Sequence, residues 1–196
     1  MSDFVPVAFG TSFESLVARA LTPMPLGAIE KLKAVGFDPT RPVQAAYPAE
    51  VWMETLRVVA EMLYPGEPTE EAHRNVGRLY MEGFARTLVG KAIFGLGSAI
   101  GTRRMLPRMT RNIRTANNYI DTDLKELGVG DWQMTIIPHP EAGPAVRARA
   151  KLSAAFIQGM MQAIFEQRGH EPDVRVEQFD PDRGVSVLRL KFSAVA

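Results

Sequence analysis

The chain contains no cysteine among its 196 residues. Disulfides, thiolate nucleophiles and Cys-ligated zinc or iron–sulfur sites are therefore excluded. Long apolar runs are also missing, because the longest mostly apolar stretch, residues 92–100, is too short to span a bilayer. The first residues lack the cationic start and apolar run of a signal peptide. We therefore expect a cytoplasmic protein.

Acidic residues are absent from one long segment. Between Gly83 and Ile120 there is no Asp or Glu, whereas seven residues there are Lys or Arg. The preceding part of the chain carries eleven acids against seven bases, and the following part eleven against nine. The net charge of +1 therefore conceals one strongly positive segment, which we expect to present a positive face to a partner or to solvent.

Groups of catalytic or metal-ligating residues are also lacking. The three histidines, His73, His139 and His170, share no ligand spacing, and Asp121 and Asp123 fit the exposed face of a strand. The glycines of 95–101 follow a helix and depart from the spacing of a dinucleotide-binding turn. With no nucleophile–base pair visible, we predict that the chain is not an enzyme and holds no metal or cofactor.

Hydrophobic periodicity divides the chain into a helical part and a mixed part. The early segments repeat at helical spacing, residues 37–48 have the composition of a loop, and the glycines of 95–101 predict a bend. After residue 119, alternation with a period of two predicts strands on either side of one long helix. The predicted helices are 13–21, 26–35, 49–63, 69–94, 103–115 and 144–167, and the predicted strands are 120–125, 132–136, 174–179 and 185–192.

This order of elements predicts an α+β fold. Strands joined by short turns pair antiparallel, so the order is helices, two strands, a long helix and two strands. Because the strands alternate on one face, the helices should pack on one four-stranded antiparallel sheet. We see no linker or repeat, and the length suits one domain spanning residues 1–196.

The apolar residues of these helices and strands suggest a deformable interior. The whole chain has ten methionines, which fill irregular gaps and line adaptable apolar pockets. A buried pocket between the helices and the sheet is one interpretation, and ordinary core packing is the other. The predicted pocket residues are Leu79, Phe84, Met134, Phe156 and Met160.

The arginines of 103–114 form a stripe on a predicted amphipathic helix, and we call this stretch the arginine segment. Arginine suits carboxylate and phosphate groups, so an acidic protein or a membrane surface could bind here. A solvated face paired with the protein's own acids is the simpler alternative. Nucleic acid is disfavoured, because the isoelectric point is only about 8.0. The candidate anion- or partner-binding residues are Arg103, Arg104, Arg108, Arg111 and Arg114.

Several short motifs resemble a family of myxobacterial paralogues of unknown function. The resemblance covers nearly the whole chain, and its motifs indicate structural roles rather than chemistry. They are Gly10–Leu16, Tyr64–Gly66, Asn75–Arg78, Gly83-Phe84 with Thr87 and Gly90, and the arginines that end at Arg111 and Arg114 before Asn117.

The element order is more distantly similar to a ligand-binding superfamily. This group includes haem-nitric-oxide-binding domains, four-vinyl-reductase domains and vesicle-tethering subunits with a buried acyl pocket. The resemblance implies helices on a four-stranded antiparallel sheet, a buried apolar pocket and a homodimer. The chain departs from it in lacking the Tyr-x-Ser-x-Arg haem signature, and without cysteine it can bind an acyl chain only non-covalently.

Two hypotheses of function follow. The first is a non-enzymatic sensory module, related to signalling, that binds an apolar or acyl-like small molecule, with an arginine of the arginine segment holding an acidic head group. The second is a structural protein that dimerises and docks an acidic partner through Arg103–Arg114.

Overall fold

Helices make up most of the first 116 residues, as the apolar periodicity predicts. The computed structural model describes residues 4–97 and 101–194, without the side chains of 95–97, 109, 111, 112 and 194. The helices of this part are α1 (Gly10–Phe13), a π-helix (Glu14–Ala20) that continues it, α2 (Ala28–Ala34), α3 (Ala49–Leu63), α4 (Thr69–Arg86), α5 (Leu88–Gly97) and α6 (Thr102–Ala116).

Two predicted helices are each interrupted. The helix predicted for 69–94 ends at Arg86, because the Thr87 hydroxyl donates to the carbonyl oxygen of Phe84 at 2.7 Å and accepts from the amide of Gly90 at 2.9 Å. The helix predicted for 144–167 is split at Arg149 into α7 (Gly143–Ala148) and α8 (Ala150–Glu166). The predicted bend at 95–101 includes residues 98–100, which lie outside the described residues.

The four predicted strands form one antiparallel sheet, as expected. They are β3 (Ile120–Gly128), β4 (Asp131–Pro138), β5 (His170–Asp180) and β6 (Val185–Ala194). Their order across the sheet is β3-β4-β6-β5, and every neighbouring pair runs antiparallel. The prediction of a four-stranded antiparallel sheet is therefore confirmed.

A second, two-stranded sheet was not predicted. β1 (Val7–Phe9) pairs antiparallel with β2 (Ala46–Pro48), so the prediction of one sheet was incomplete and the loop at 37–48 ends in a strand. Strands of three residues are too short to show a period. The Asn118 side chain fixes this sheet beside β3, accepting from the amide of Val7 at 2.7 Å and donating to the carbonyl of Val5 at 2.9 Å.

Three glycines let α4 pack closely on its neighbours. A Cβ at Gly77 would lie 2.0 Å from the carbonyl oxygen of Phe156 in α8, and one at Gly159 would lie 1.8 Å from the carbonyl oxygen of Arg74. A Cβ at Gly83 would lie 1.9 Å from the carbonyl oxygen of Ser15 in the π-helix. Because α8 also packs on β5 and β6, α4 is joined through it to the sheet.

The core lies between this helical layer and one face of the sheet. Met134, Leu188 and Leu190 on β4 and β6 are completely buried there, and Phe165 of α8 is equally enclosed. Among the described residues, no helix is both long enough and apolar enough to cross a membrane.

Candidate ligand cavity

A cavity of about 280 Å³ lies among the helices, beside the start of β3. α3, α4 and α8 form its inner walls, and α1, α5 and the end of α6 close the remaining sides. Most of the lining is apolar, because the inward faces of these amphipathic helices meet here. The cavity therefore lies in the helical half of the protein, above the sheet.

One wall of the cavity is a cluster of aromatic rings. The rings of Trp52 and Phe156 meet edge to face with centroids 6.0 Å apart, and those of Tyr80 and Phe156 do so at 5.3 Å. Phe84 stacks on Tyr80, one helical turn away on α4, at 6.3 Å. Edge-to-face and stacked rings hold each other in defined positions. This wall is therefore built before any ligand arrives.

Several polar side chains at the cavity already serve the fold. The Ser12 hydroxyl donates to the carbonyl oxygen of Ala116 at 3.1 Å and so joins α1 to the end of α6. The Asn117 side-chain oxygen accepts from the amides of Tyr119 and Ile120 at 3.2 and 2.9 Å. Its amide nitrogen donates to the carbonyl of Ile113 at 3.2 Å. Asn117 therefore ends α6 and begins β3.

Two buried tyrosines, Tyr80 and Tyr119, also line the cavity and are 5% and 2% exposed. Burial raises the pKa of Tyr80, an effect that hydrogen bonding to Ser12 and Ser15 partly offsets. Burial also raises the pKa of Tyr119, and the neighbouring Tyr80 adds to this. Both phenols are therefore neutral at physiological pH and act as hydrogen-bond donors or acceptors.

α5 covers the cavity on its outer side. Val89 and Ile93 of this helix line the cavity, while Leu88 and Val89 are 85% and 49% exposed to solvent. The helix is fixed close to α4, since a Cβ at Gly90 would lie 1.8 Å from the carbonyl oxygen of Phe84. On this side the cavity is therefore covered by a single, partly exposed helix.

The structure brings three of the five predicted pocket residues together. Phe84, Phe156 and Met160 line the cavity, whereas Leu79 and Met134 are not among its described lining residues. Met134 lies opposite Leu124 and Leu188 in the sheet and is completely buried there, and Leu79 is half-buried against the core.

Sequence reasoning missed Trp52, Tyr80, Tyr119 and Asn117 as lining residues. Trp52 and Tyr80 occupy inward positions of their helices, which marks them as buried but not as cavity walls. The sequence does contain one indication of the aromatic wall. Tyr80 and Phe84 are four residues apart, so these two bulky side chains lie on the same helix face.

The arginine segment is the exposed face of α6. Arg103 pairs with Glu126 at 2.9 Å and Arg114 with Asp121 at 2.5 Å, so two arginines contact acids of the protein itself on β3. Arg104 and Arg108 are exposed, and the described residues offer them no ion pair. The side chain of Arg111 lies outside the described residues.

None of the described arginine side chains lines the cavity. Buried residues such as Met105 and Leu106 occupy the opposite face of α6, which turns toward the interior. The geometry therefore gives no support to the expectation that an arginine of this segment holds an acidic head group inside the cavity.

The family of the chain follows from its sequence. The sequence model of the family described as "Protein of unknown function (DUF2378)" matches residues 7–189. The chain belongs to the DUF2378 family. No curated protein matches this DUF2378 chain.

Solved structures similar to the DUF2378 chain are H-NOX domains. A doubly substituted Tt H-NOX has a TM-score of 0.67 at 16% identity, covering 96% of this chain and 95% of that one. An oxygen-binding H-NOX domain related to soluble guanylate cyclases has a TM-score of 0.63 at 17% identity, covering 94% and 92%. A singly substituted T. tengcongensis H-NOX has a TM-score of 0.60 at 18% identity, covering 95% and 99%. The DUF2378 chain therefore has an H-NOX-like fold, as its predicted distant similarity to haem-nitric-oxide-binding domains implies.

Two further similar structures concern haem, and one of them is an H-NOX protein. Haem in the DUF2378 cavity would need an axial ligand for its iron. His73 is buried with Nδ1 against the carbonyl of Thr69 at 2.8 Å, and His139 stacks on Phe4. His170 contacts Thr102 through Nε2 at 2.6 Å. None of the three histidines lines the cavity, so the usual axial ligand is missing from it.

The other requirements of haem are not met by the described lining either. Tyrosine ligates haem iron as a phenolate, and burial of Tyr80 and Tyr119 disfavours that charged form. Methionine ligates haem together with a histidine in cytochromes c, and the described part of the cavity wall has no histidine. The described lining residues include no Lys or Arg that would pair with haem propionates. A cavity of about 280 Å³ is also small for a porphyrin, since about 150 Å³ accommodates benzene. The residues present therefore do not fit haem.

Proposed function

We propose that this DUF2378 protein is a non-enzymatic sensory module that binds a small apolar or acyl-like molecule in the cavity between its helices. The observation that carries this proposal is the mostly apolar cavity of about 280 Å³ between the helices. Protein cores contain few voids larger than one water molecule, and such voids destabilise the fold. A void several times larger, walled by ordered aromatic rings, is the expected form of a ligand pocket.

The position of the cavity suggests how a bound molecule acts on the rest of the protein. Its walls include the cover helix α5 and the junction between α6 and β3, where Asn117 holds both elements. A ligand that fills the cavity contacts these parts at once and favours one arrangement of them over another. The arginine segment lies on the outer face of the same α6, where a signalling partner can detect that arrangement.

A larger side chain that fills part of the cavity tests this proposal. Ala116 lines the cavity at the end of α6, so Ala116→Leu should occupy ligand space while leaving the backbone carbonyl that Ser12 contacts. Native mass spectrometry and solvent extraction of the purified wild-type protein should find a bound small molecule that Ala116→Leu lacks. The exposed Ala148→Leu in α7 is the matched control and should keep it. Absence of any bound molecule from wild type, with no binding to added apolar compounds, would contradict the proposal.

A second candidate function is favoured by Arg104 and Arg108. These exposed side chains are four residues apart on α6, so they lie one helical turn apart, and no described acid pairs with them. In this alternative the protein dimerises and docks an acidic partner through Arg103–Arg114.

Charge reversal tests the second candidate. The double variant Arg104→Glu/Arg108→Glu should lose salt-sensitive binding to a poly-glutamate peptide, while Arg183→Glu in the exposed turn between β5 and β6 should keep it. Light scattering on the same samples measures self-association. Equal binding by both variants would rule out docking through α6.

A further inference from the structure

The cavity lining is uncharged throughout its described part. Neither an acidic nor a basic side chain is present among the residues that form its walls. Burying an ion without an opposite charge costs several kcal/mol, so a charged group inside this cavity would be strongly disfavoured. The part of a ligand that enters must therefore be neutral.

The described lining carries both hydroxyl groups and apolar side chains. Ser12, Tyr80 and Tyr119 contribute hydroxyl groups, and Tyr80 lies close enough to Tyr119 to affect its pKa. Ile93 and Met160 are among the apolar residues. A ligand in the cavity therefore meets polar as well as apolar surface.

The Tyr119 hydroxyl is available to hydrogen bond with a ligand. The Ser12 hydroxyl donates to the carbonyl of Ala116, and the side-chain oxygen and nitrogen of Asn117 both have hydrogen-bond partners within the protein. Tyr119 lines the cavity and is 2% exposed, and no hydrogen bond of its hydroxyl is found within the described part of the chain. Polar groups that line a cavity need a hydrogen-bond partner inside it, and an oxygen atom of a ligand supplies one to Tyr119.

The volume sets the size of the ligand. An apolar cavity of about 150 Å³ binds benzene. By proportion, a cavity of about 280 Å³ accommodates roughly twice as many non-hydrogen atoms as benzene has, about a dozen. This volume excludes polycyclic cofactors. It accommodates a long acyl chain only when part of that acyl chain extends past α5.

On the basis of the proposed function, we infer that the cavity takes an uncharged, mostly apolar molecule of about a dozen non-hydrogen atoms whose single carbonyl or hydroxyl oxygen accepts a hydrogen bond from Tyr119. Medium-chain ketones, alcohols and aldehydes belong to this class. Free carboxylates of the same length do not.

Two probes of nearly equal length test the charge requirement. Methyl octyl ketone is neutral with one acceptor oxygen, and decanoate is its anionic counterpart. Isothermal titration calorimetry at neutral pH should show binding of the ketone, and decanoate binding at least about tenfold weaker. Equal or tighter binding of decanoate would overturn the ligand class while leaving the cavity's ligand-binding function in place.

One variant tests the role of Tyr119, with a second as its control. Tyr119→Phe removes only the hydroxyl and should weaken ketone binding about fivefold, the usual effect of one lost neutral hydrogen bond. Tyr64→Phe removes a hydroxyl away from the cavity and should leave the affinity unchanged. Thermal unfolding shows whether both variants are folded. Unchanged ketone binding by a folded Tyr119→Phe protein would overturn the assignment of Tyr119.

The failure of the inference can be told apart from the failure of the proposed function. If neither probe binds, the inferred ligand class is wrong. Native mass spectrometry of the purified protein then decides the wider proposal. A co-purified molecule of another class would support the proposed sensory function. A protein that carries no molecule and binds none would contradict it.

Discussion

Gly77 of α4 and Gly159 of α8 each lie against the backbone of the other helix. A Cβ at Gly77 would come within 2.0 Å of the carbonyl oxygen of Phe156, and one at Gly159 within 1.8 Å of the carbonyl oxygen of Arg74. The two helices therefore approach more closely than any larger residue permits. Because Phe156 belongs to the aromatic wall, this crossing also fixes the shape of the cavity.

Replacing either glycine with alanine should destabilise the protein. The added methyl group must push α4 and α8 apart, and overpacking of this kind typically costs about 1–3 kcal/mol. Urea denaturation of Gly77→Ala and Gly159→Ala should show a free energy of unfolding lower by that amount. Both variants should also bind cavity ligands more weakly, because Phe156 moves with α8.

Gly128, at the end of β3, provides the matched control for these substitutions. An added Cβ there meets nothing within 4 Å, so Gly128→Ala should change stability by no more than about 0.5 kcal/mol. A Gly77→Ala protein as stable as Gly128→Ala would show that the helices can separate without cost.

The sequence predicted the structural motifs well, but not their individual contacts. The resemblance marked Gly83, Thr87 and Gly90 as structural, and the structure explains each of them. Gly83 allows close approach to Ser15, Thr87 ends α4, and Gly90 lies against the carbonyl of Phe84. The contacts of Thr87 and Gly90 are local to the junction of α4 and α5, whereas the contact of Gly83 with Ser15 joins residues far apart in sequence and has no local pattern.

The cavity was harder to predict than the sheet. Met134 and Phe156 look alike in sequence, since both are large apolar residues at inward positions of a periodic segment. Met134 fills the space between sheet and helices, whereas Phe156 stands beside a void. Periodicity identifies which side of an element is buried, but only packing in three dimensions decides whether the buried space is filled. The short strands β1 and β2 were missed because tertiary pairing alone defines them.

His73 should make the stability of the protein depend on pH. It is 3% exposed, and burial lowers its pKa below 6.5, an effect that the contact with the carbonyl of Thr69 and the charge of Glu61 partly offset. The unfolded chain therefore binds a proton that the folded protein resists, so stability falls as pH drops below about 6.5. Urea denaturation between neutral and mildly acidic pH measures this loss.

Glutamine at position 73 removes the titrating group and should flatten the stability curve in this range. His139→Gln is the control, because His139 is half-buried and stacked on Phe4. A curve for His73→Gln as steep as that of wild type would assign the pH dependence to other groups. Carboxylates held by arginine, such as Glu54, contribute only at more acidic pH, since their pKa is lowered from 4.5.

Arg78 and Glu166 form a second link between α4 and α8. Two guanidinium nitrogens of Arg78 donate to the two carboxylate oxygens of Glu166, at 2.9 and 2.6 Å. Both side chains are partly exposed, at 39% and 42%, so a double-mutant cycle with alanine should give a coupling energy of about 0.5–1 kcal/mol. The coupling should fall at high salt because exposed pairs are screened. A coupling near zero at low salt would show that this ion pair adds nothing to the packing of α4 on α8.

Thr87 should control how firmly α5 covers the cavity. Its hydroxyl ends α4 by donating to the carbonyl of Phe84 and begins α5 by accepting from the amide of Gly90. Thr87→Ala removes both hydrogen bonds and should destabilise the start of α5 by about 1 kcal/mol. Native-state hydrogen exchange should then be faster across α5, and ligands should leave the cavity sooner, while exchange in the sheet stays unchanged.

Thr40→Ala is the control for this substitution, since the Thr40 hydroxyl serves only a surface turn, donating to Asp38 at 2.6 Å. It should leave α5 exchange and ligand dissociation as in wild type. If Thr87→Ala accelerates exchange in α5 without changing the dissociation rate, ligands must enter and leave by another route. Thr11, which is exposed at the rim of the cavity, would then be the next position to block.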